Sequence, residues 1–353
     1  MIACGAFAKG FAKAPLPDRL PSRMPFGERD TLQRTNSVTD HIKSEAAQAE
    51  IAAIQTGFEA GGYVANFHIA TAVYLARALD KPILVEGPPG VGKTELAKAT
   101  AAHLGRELIR LQCYEGLDEA KALYEWKYGK QLLYTQVLKD KLADLMVGTD
   151  GISDAMDRLH EFDDTFFSPE FLEPRPLLKA LQVPDGGVLL VDEIDKSDQE
   201  FEAFLLEILS DFQVTVPEIG TVKADVKPVV FLTSNNTREV GDALKRRCLH
   251  LYISFPDQAL EMKIIDKRVP GVPESLLKQL VAFVQELRTK TIKKLPAVSE
   301  TIDWARALML LHTDELDEAL VRNTLNLLLK FEDDIESVDT EISGMLRRAK
   351  DAV

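Results

Sequence analysis

The segment Gly87-Pro88-Pro89-Gly90-Val91-Gly92-Lys93-Thr94 constrains this chain more than any other, because it fits G-x-x-x-x-G-K-[ST] in full. Such a match arises by chance in roughly one chain in a hundred of this size, given ordinary glycine usage. Its flanks sharpen the reading. Pro82-Ile83-Leu84-Val85 is a short apolar run rich in branched residues, as a strand buried on both faces requires. Thr94 to Leu104 carries a helical pattern that Gly105 stops. A strand feeding the loop and a helix leaving it aim backbone N–H groups at one point beside a positive helix end, where phosphate binds. The implied ligand is a nucleoside triphosphate, ATP, cradled by Gly87, Pro88, Pro89, Gly90, Val91, Gly92, Lys93, Thr94 and Glu95. Lys93 reaches the β and γ phosphates in this reading, and the Thr94 hydroxyl ligates Mg2+.

The same alternation continues on both sides. Phe67, Ile69, Ala70, Val73, Tyr74, Ala76 and Leu79 have helical spacing, ended by Asp80-Lys81-Pro82. Glu107 to Leu111, Gly187 to Val191 and Val229 to Thr233 read as further core strands. Phe201, Phe204, Leu205, Ile208, Leu209 and Phe212 make one apolar helical stripe. Gln213 to Val222 alternates on either side of Pro217 and Gly220, as a β-hairpin does. After Phe255-Pro256-Asp257 the pattern is almost wholly helical. The expected fold is therefore α/β: a parallel P-loop NTPase sheet with helices on both faces, followed by an α-helical domain. The expected boundaries are a flexible arm over 1–44, an α/β domain over 45–256 and a helical domain over 257–353. An insertion at about 114–180 and the hairpin at about 213–223 interrupt the α/β part.

Asp192-Glu193 follows the strand Val188 to Val191, where an open α/β sheet exposes its ligand crevice. Asp192 is the expected magnesium-side carboxylate, and Glu193 the general base that orients and deprotonates a water. Asn235, after the strand Val229 to Thr233, could hydrogen-bond that water or the γ-phosphate, although, taken on its own, a turn or helix-cap role suits this asparagine better. In Leu244-Lys245-Arg246-Arg247-Cys248-Leu249, one of two adjacent arginines could serve a neighbouring subunit's γ-phosphate; a plain basic helix end is the other reading.

Composition closes off other classes. The 353 residues carry 42 Lys and Arg against 56 Asp and Glu, a net charge of −14 that opposes binding to polyanions. Cys4, Cys113 and Cys248 are too far apart for a disulfide framework or a Cys-x-x-Cys site, and six scattered histidines lack His-Glu-x-x-His spacing. A reducing cytoplasm is the expected location. No apolar run reaches the length of a membrane span. Lys9, Lys13, Arg19 and Arg23 against Asp18 hint at a transit peptide, but the prolines favour an unstructured leader.

The order of these pieces resembles an AAA+ ATPase: Gly87 to Thr94 as Walker A, Val188 to Glu193 as Walker B, Thr233-Ser234-Asn235 as sensor 1, and Leu244 to Arg247 as the arginine-finger segment. Gln112-Cys113-Tyr114-Glu115-Gly116, Leu123-Tyr124-Glu125-Trp126, Asp211 to Pro217 and Arg246 to His250 further resemble the MoxR branch, and within it the accessory ATPases of carbon monoxide dehydrogenase maturation. The resemblance implies sensor 1 for Asn235 and the finger for Arg247, with Arg246 second. It also implies a homo-hexameric ring with ATP between subunits, a partner with a von Willebrand factor A domain, and a metalloenzyme client. In such ATPases the insertion and the hairpin face a central pore. One departure stands out: the helix near Val298-Ser299-Glu300-Thr301-Ile302 lacks the sensor 2 arginine, with only Arg306 two turns on.

The implied function is an ATPase that remodels a protein partner or assists its maturation. The alternative on the same core is a DNA-directed motor or clamp-loader-like switch, which the net charge disfavours. A small-molecule kinase would leave Glu193, Asn235 and Arg247 without a task. Tyr114, Tyr124, Trp126 and Tyr128, interleaved with Lys121, Lys127 and Lys130, are open to three readings: buried helix-face aromatics, a peptide-gripping pore element, or a stacking surface for single strands. Glu332-Asp333-Asp334-Ile335-Glu336 reads as a solvated face.

Overall fold

The computed structural model describes residues 44–145, 169–217 and 219–351. The chain divides into Met1–Gln48, of which only the start of one helix is described, and Ala49–Val353. The arm expected before Ser44, with Cys4, lies outside the described residues, as does the middle of the insertion at 146–168.

In chain order the elements are α1 (Glu45–Ala60), α2 (Phe67–Leu79), β1 (Ile83–Glu86), α3 (Lys93–Leu104), β2 (Leu108–Gln112), α4 (Glu119–Leu123), β3 (Tyr124–Trp126), α5 (Tyr128–Leu145), β4 (Leu172–Pro174), α6 (Pro176–Gln182), β5 (Val188–Asp192), α7 (Gln199–Asp211), β6 (Gln213–Val216), β7 (Gly220–Lys223), β8 (Val229–Ser234), α8 (Asp242–Arg247) and β9 (Leu249–Tyr252). Then follow α9 (Gln258–Arg268), α10 (Glu274–Leu287), α11 (Val298–Leu310), α12 (Glu318–Thr324), α13 (Glu332–Asp339) and α14 (Ile342–Asp351).

Five strands pair in parallel in the order β2-β5-β8-β1-β9. The inner strands β1, β5 and β8 are buried at every position, which explains their unbroken apolar runs. The edge strand β2 alternates instead, with Ile109 and Leu111 inward and Arg110 exposed. Because all five run the same way, the carboxyl ends of β1, β5 and β8 emerge on one side of the sheet, and the loops carrying Lys93, Glu193 and Asn235 meet there.

Helix boundaries follow local chemistry. Asp80 closes α2 in the left-handed region at φ 50°, two residues before Pro82. Gly105 does the same for α3 at φ 62°. Asp198 caps α7 by accepting the Phe201 N–H at 2.8 Å. One buried apolar cluster lies against the sheet and includes Leu84, Leu189, Leu205, Leu232 and Leu244. A second joins the helices after β9 around Leu280, Phe283, Leu308 and Trp304, whose indole N–H donates to Thr324 Oγ1 at 2.8 Å.

Three features depart from expectation. β9 went unread, because its four residues carry only two apolar side chains on the sheet's outer position. Within the insertion, β3 and β4 form an antiparallel ribbon, so the aromatic cluster is not a buried helix face: Trp126 is buried on a strand, whereas Tyr114 and Tyr128 are exposed. The acidic stretch is not wholly solvated either. Asp334 is buried and accepts the Lys293 N–H at 3.0 Å, joining the loop before α11 to α13. The expected hairpin is present as β6 and β7, paired in antiparallel register from Gln213↔Lys223 to Val216↔Gly220.

Candidate active site

The loop after β1 is shaped by close approaches that only glycine permits. At Gly87, φ is 151° and a Cβ would sit 2.1 Å from the Ile253 carbonyl oxygen; at Gly90, φ is 73° and a Cβ would lie 2.4 Å from Ala297 Cβ. Gly90 is thus where the loop packs against the start of α11. Lys93 opens α3 with its side chain buried, and its Nζ donates to the carbonyls of Gly87 (2.6 Å) and Pro88 (2.8 Å) and to Asn235 Oδ1 (2.8 Å). Burial pulls its pKa down to about 8, against the upward pull of Asp195, Asp192 and Glu193.

Asp192 ends β5 and is buried. Its Oδ1 accepts the hydroxyls of Thr233 (2.5 Å) and Thr94 (3.1 Å), while Oδ2 accepts Arg110 through Nε (3.0 Å) and Nη2 (2.6 Å). Glu193, one residue on, adopts left-handed backbone angles of φ 59° and ψ 51°. That conformation costs a non-glycine residue about 1–2 kcal/mol. Its N–H is held by Thr233 Oγ1 at 2.9 Å, which repays part of the strain and sets the side chain's direction. The Glu193 carboxylate then meets three partners: Gln112 Nε2 at 2.9 Å and Lys196 Nζ at 2.7 Å on Oε2, and Asn235 Nδ2 at 3.3 Å on Oε1. Asn235 therefore bridges Lys93 and Glu193, one through each end of its amide.

The Asn235 loop is itself fixed from below. Asp195 Oδ2 accepts the N–H groups of Asn235 (3.3 Å) and Thr237 (3.0 Å) and the Thr237 hydroxyl (2.5 Å). Burial pushes the Asp195 carboxyl up, yet these donors outweigh it and hold it below the usual carboxylate range. The result is a cleft of about 240 Å³ bordered by Pro89, Gly92, Lys93, Thr94, Glu95, Asp192, Glu193, Asn235 and Ser299. Beside it a mainly apolar pocket of about 150 Å³ runs under Tyr63, Ile69, Ile253, Leu260, Val298 and Ile302.

Most of the sequence-derived residues thus converge, and the two arginines do not. Arg246 and Arg247 sit exposed at the end of α8, away from the cleft lining. The Arg247 guanidinium donates to the Ser210 hydroxyl, whereas Arg246 has no hydrogen bond or ion pair among the described residues. Arg306 does not border the cleft either and pairs with Asp303 at 3.1 Å. Glu95 borders both pockets and is tied to Lys98 and to Arg268 of α9, each at 2.7 Å. Burial raises the Glu95 carboxyl and these two bonds more than reverse it.

Sequence reasoning missed Arg110 and Asp195 altogether, and quoted Gln112 and Thr233 without a role. Arg110 and Gln112 carried a usable signal: two polar residues two apart on a strand lie on the same face, here the one turned to the Asp192-Glu193 end of β5.

The AAA domain family, dynein-related subfamily, matches residues 82–248, from the start of β1 to the end of α8. That stretch carries the cleft residues Lys93, Thr94, Asp192, Glu193 and Asn235. The chain is accordingly a P-loop ATPase with the AAA+ fold, a five-stranded parallel sheet followed by a helical region. An uncharacterized protein of Staphylococcus haemolyticus is 25% identical over 269 residues, covering 73% of this chain and 87% of its own length. Another from Staphylococcus epidermidis is 26% identical over 238 residues, covering 65% and 76%. Among solved structures, the Thermotoga maritima RuvB Holliday junction branch migration motor is 15% identical, covers 83% of this chain and 77% of its own, and has a TM-score of 0.43. No helix among the described residues is long and apolar enough to cross a membrane.

Proposed function

We propose that the AAA domain hydrolyses ATP with Mg2+, within a homo-hexameric ring of MoxR type that remodels a protein partner during metalloenzyme maturation. The hydrolytic part of this reading rests on one observation: Lys93, Thr94, Asp192, Glu193 and Asn235, drawn from three strand ends, border a single cleft. The triphosphate lies along the loop from Gly87 to Gly92, over the amino end of α3, with Lys93 leaving its carbonyl partners for phosphate oxygens. The adjoining apolar pocket suits a base. Asn235 positions the water that Glu193 deprotonates, and Lys196 and Gln112 keep that carboxylate aimed.

The donors present fit magnesium. A buried carboxylate and a threonine hydroxyl 3.1 Å apart supply hard oxygens, and a cation that relies on phosphate and water for its other ligands needs no more from the protein. When bound, the ion supplies charge neutralisation at the β and γ phosphates.

The ring is supported by the position of Arg246 and Arg247 at an exposed helix end, outside the lining of their own cleft, where a neighbour's cleft is the natural target. Arg247 is retained as the finger and Arg246 as the second candidate. The division at residue 256 between an ATPase domain and a helical lid is supported by the two separate buried clusters. The partner with a von Willebrand factor A domain, the metalloenzyme client and a cytoplasmic setting are supported by the MoxR-like stretches.

The decisive experiment separates binding from chemistry. Lys93→Ala is expected to lose nucleotide affinity in a fluorescent-nucleotide titration. Glu193→Gln is expected to bind normally and hydrolyse at least about a hundredfold more slowly, since general-base help is worth roughly 10² to 10⁴. Equal, complete loss of binding in both would refute the assignment.

A further inference from the structure

Asp192 is buried deeply enough that its charge requires a partner, and the partner is not the loop lysine. The Asp192 side chain is 4% exposed, and Lys93 spends its ammonium on two carbonyls and Asn235. The counter-charge comes from Arg110, on the edge strand β2, which places both Nε (3.0 Å) and Nη2 (2.6 Å) on the single oxygen Oδ2. The other oxygen, Oδ1, is taken by hydroxyl donors.

We propose that Arg110 is a positioning residue that holds the place of the metal: it neutralises Asp192 while no cation is bound and gives up Oδ2 when one arrives. This rests on the reading of Asp192 as the magnesium-side carboxylate. Three features of the geometry support an exchangeable partner. Arg110 stands on the outermost strand with its side chain half exposed, so it swings away without unpacking the core. Gln112 Oε1, two residues on and on the same face, already accepts Nη2 at 2.5 Å and offers the displaced guanidinium an alternative acceptor. The Thr94 hydroxyl lies within 3.3 Å of both Asp192 oxygens, so it turns with the carboxylate when Oδ2 is released.

A place-holder and a mere structural support have opposite signatures. Removing a support weakens metal binding; removing a competitor strengthens it. The probe is Mn2+, followed by electron paramagnetic resonance, titrated into the full chain with a saturating non-hydrolysable ATP analogue. Arg110→Met is expected to lower the half-saturating Mn2+ concentration about tenfold, the scale of one charge-assisted hydrogen-bonded pair at a half-exposed site. Arg110→Lys, which keeps the charge but not the paired donors, should fall between it and the wild type. Without metal and nucleotide, Arg110→Met should melt at a lower temperature than wild type, and the gap should narrow once both are added. An unchanged or raised half-saturation in Arg110→Met overturns the proposal. If that variant does not fold, Arg110→Lys decides alone: a value below wild type upholds the proposal, and an equal or higher one overturns it. Failure of the underlying reading looks different, since then wild type takes up no Mn2+ with the analogue, or Asp192→Asn takes it up equally well.

Discussion

The helical region depends on a buried ion pair whose removal has a calculable cost. Glu261 of α9 and Arg288, just past α10, are 0% and 6% exposed and meet through two hydrogen bonds of 2.6 and 2.7 Å. Gln285 and Thr301 donate to the same carboxylate at 2.7 and 3.0 Å. The cluster also ties the chain entering the region to the loop between α10 and α11: Gln285 bonds the Pro256 carbonyl, Arg288 Nε bonds that of Pro296, and the guanidinium stacks 4.7 Å from the Phe255 ring centre. Glu261→Ala strands a buried guanidinium, which costs about 3–5 kcal/mol. Glu261→Ala combined with Arg288→Met removes both charges and is expected to recover part of that loss, so the double-mutant cycle built on these two single variants should show coupling of at least about 2 kcal/mol. The assay is urea unfolding in a Trp126→Phe background, which leaves Trp304, fully buried in the second cluster, as the sole tryptophan, excited where tyrosine does not absorb. A loss under about 1 kcal/mol in Glu261→Ala, or a double variant as unstable as the single one, would refute the reasoning. The consequence reaches the active site, because Ala297 and Ser299, which pack on Gly90, follow directly from the Pro296 carbonyl that Arg288 holds.

Three further outcomes are expected. Arg247→Ala should bind ATP yet lose hydrolysis by roughly 10³ to 10⁵, and mixing it with Glu193→Gln protein should restore partial activity, since some interfaces then pair an intact Glu193 with an intact Arg247. Normal turnover by Arg247→Ala, with only Arg246→Ala dead, would move the role to the arginine that has no hydrogen bond or ion pair among the described residues. Gly90→Ala should weaken nucleotide binding at least about tenfold in a fluorescence titration, because φ 73° and a Cβ contact at 2.4 Å together force the loop off Ala297; wild-type affinity would contradict this. In a Cys4→Ser background, Cys113 and Cys248 should resist Ellman's reagent at pH 8 until the protein is denatured. Burial pushes both thiols up to about 12, Cys113 with help from Asp192, leaving about one thiolate in ten thousand, so rapid release of two equivalents would show the thiols to be accessible.

The pieces legible in the chain were those set by neighbours a few residues apart. Gly87 to Thr94 can be read because a phosphate loop needs glycine at fixed offsets and a helix start after it. The termini of α2 and α3 were visible in Asp80-Lys81-Pro82 and Gly105, and β5 and β8 announced themselves as apolar runs ending in polar residues. That Asp192 and Asn235 belong near Lys93 followed from a rule about parallel sheets, once the strands were recognised.

What the sequence alone determined, then, was the set of local elements and the chemistry at their ends. Only the tertiary structure decided which strands are neighbours, and with that the partners of each carboxylate. β8 lies between β1 and β5, so Asn235 reaches Lys93 on one side and Glu193 on the other; β2 lies outside β5, so Arg110 and Gln112 reach Asp192 and Glu193. Glu261 finds Arg288 only because α9 packs on α10, and the place near the loop that lacks a lid arginine is filled by Ser299. The physical reason is one of range. Backbone propensity, capping and burial periodicity act over a few residues and leave their mark in the order of the chain. Strand order and side-chain pairing are chosen by close packing among segments far apart in the chain, 142 residues for Lys93 and Asn235 and 173 for Glu95 and Arg268.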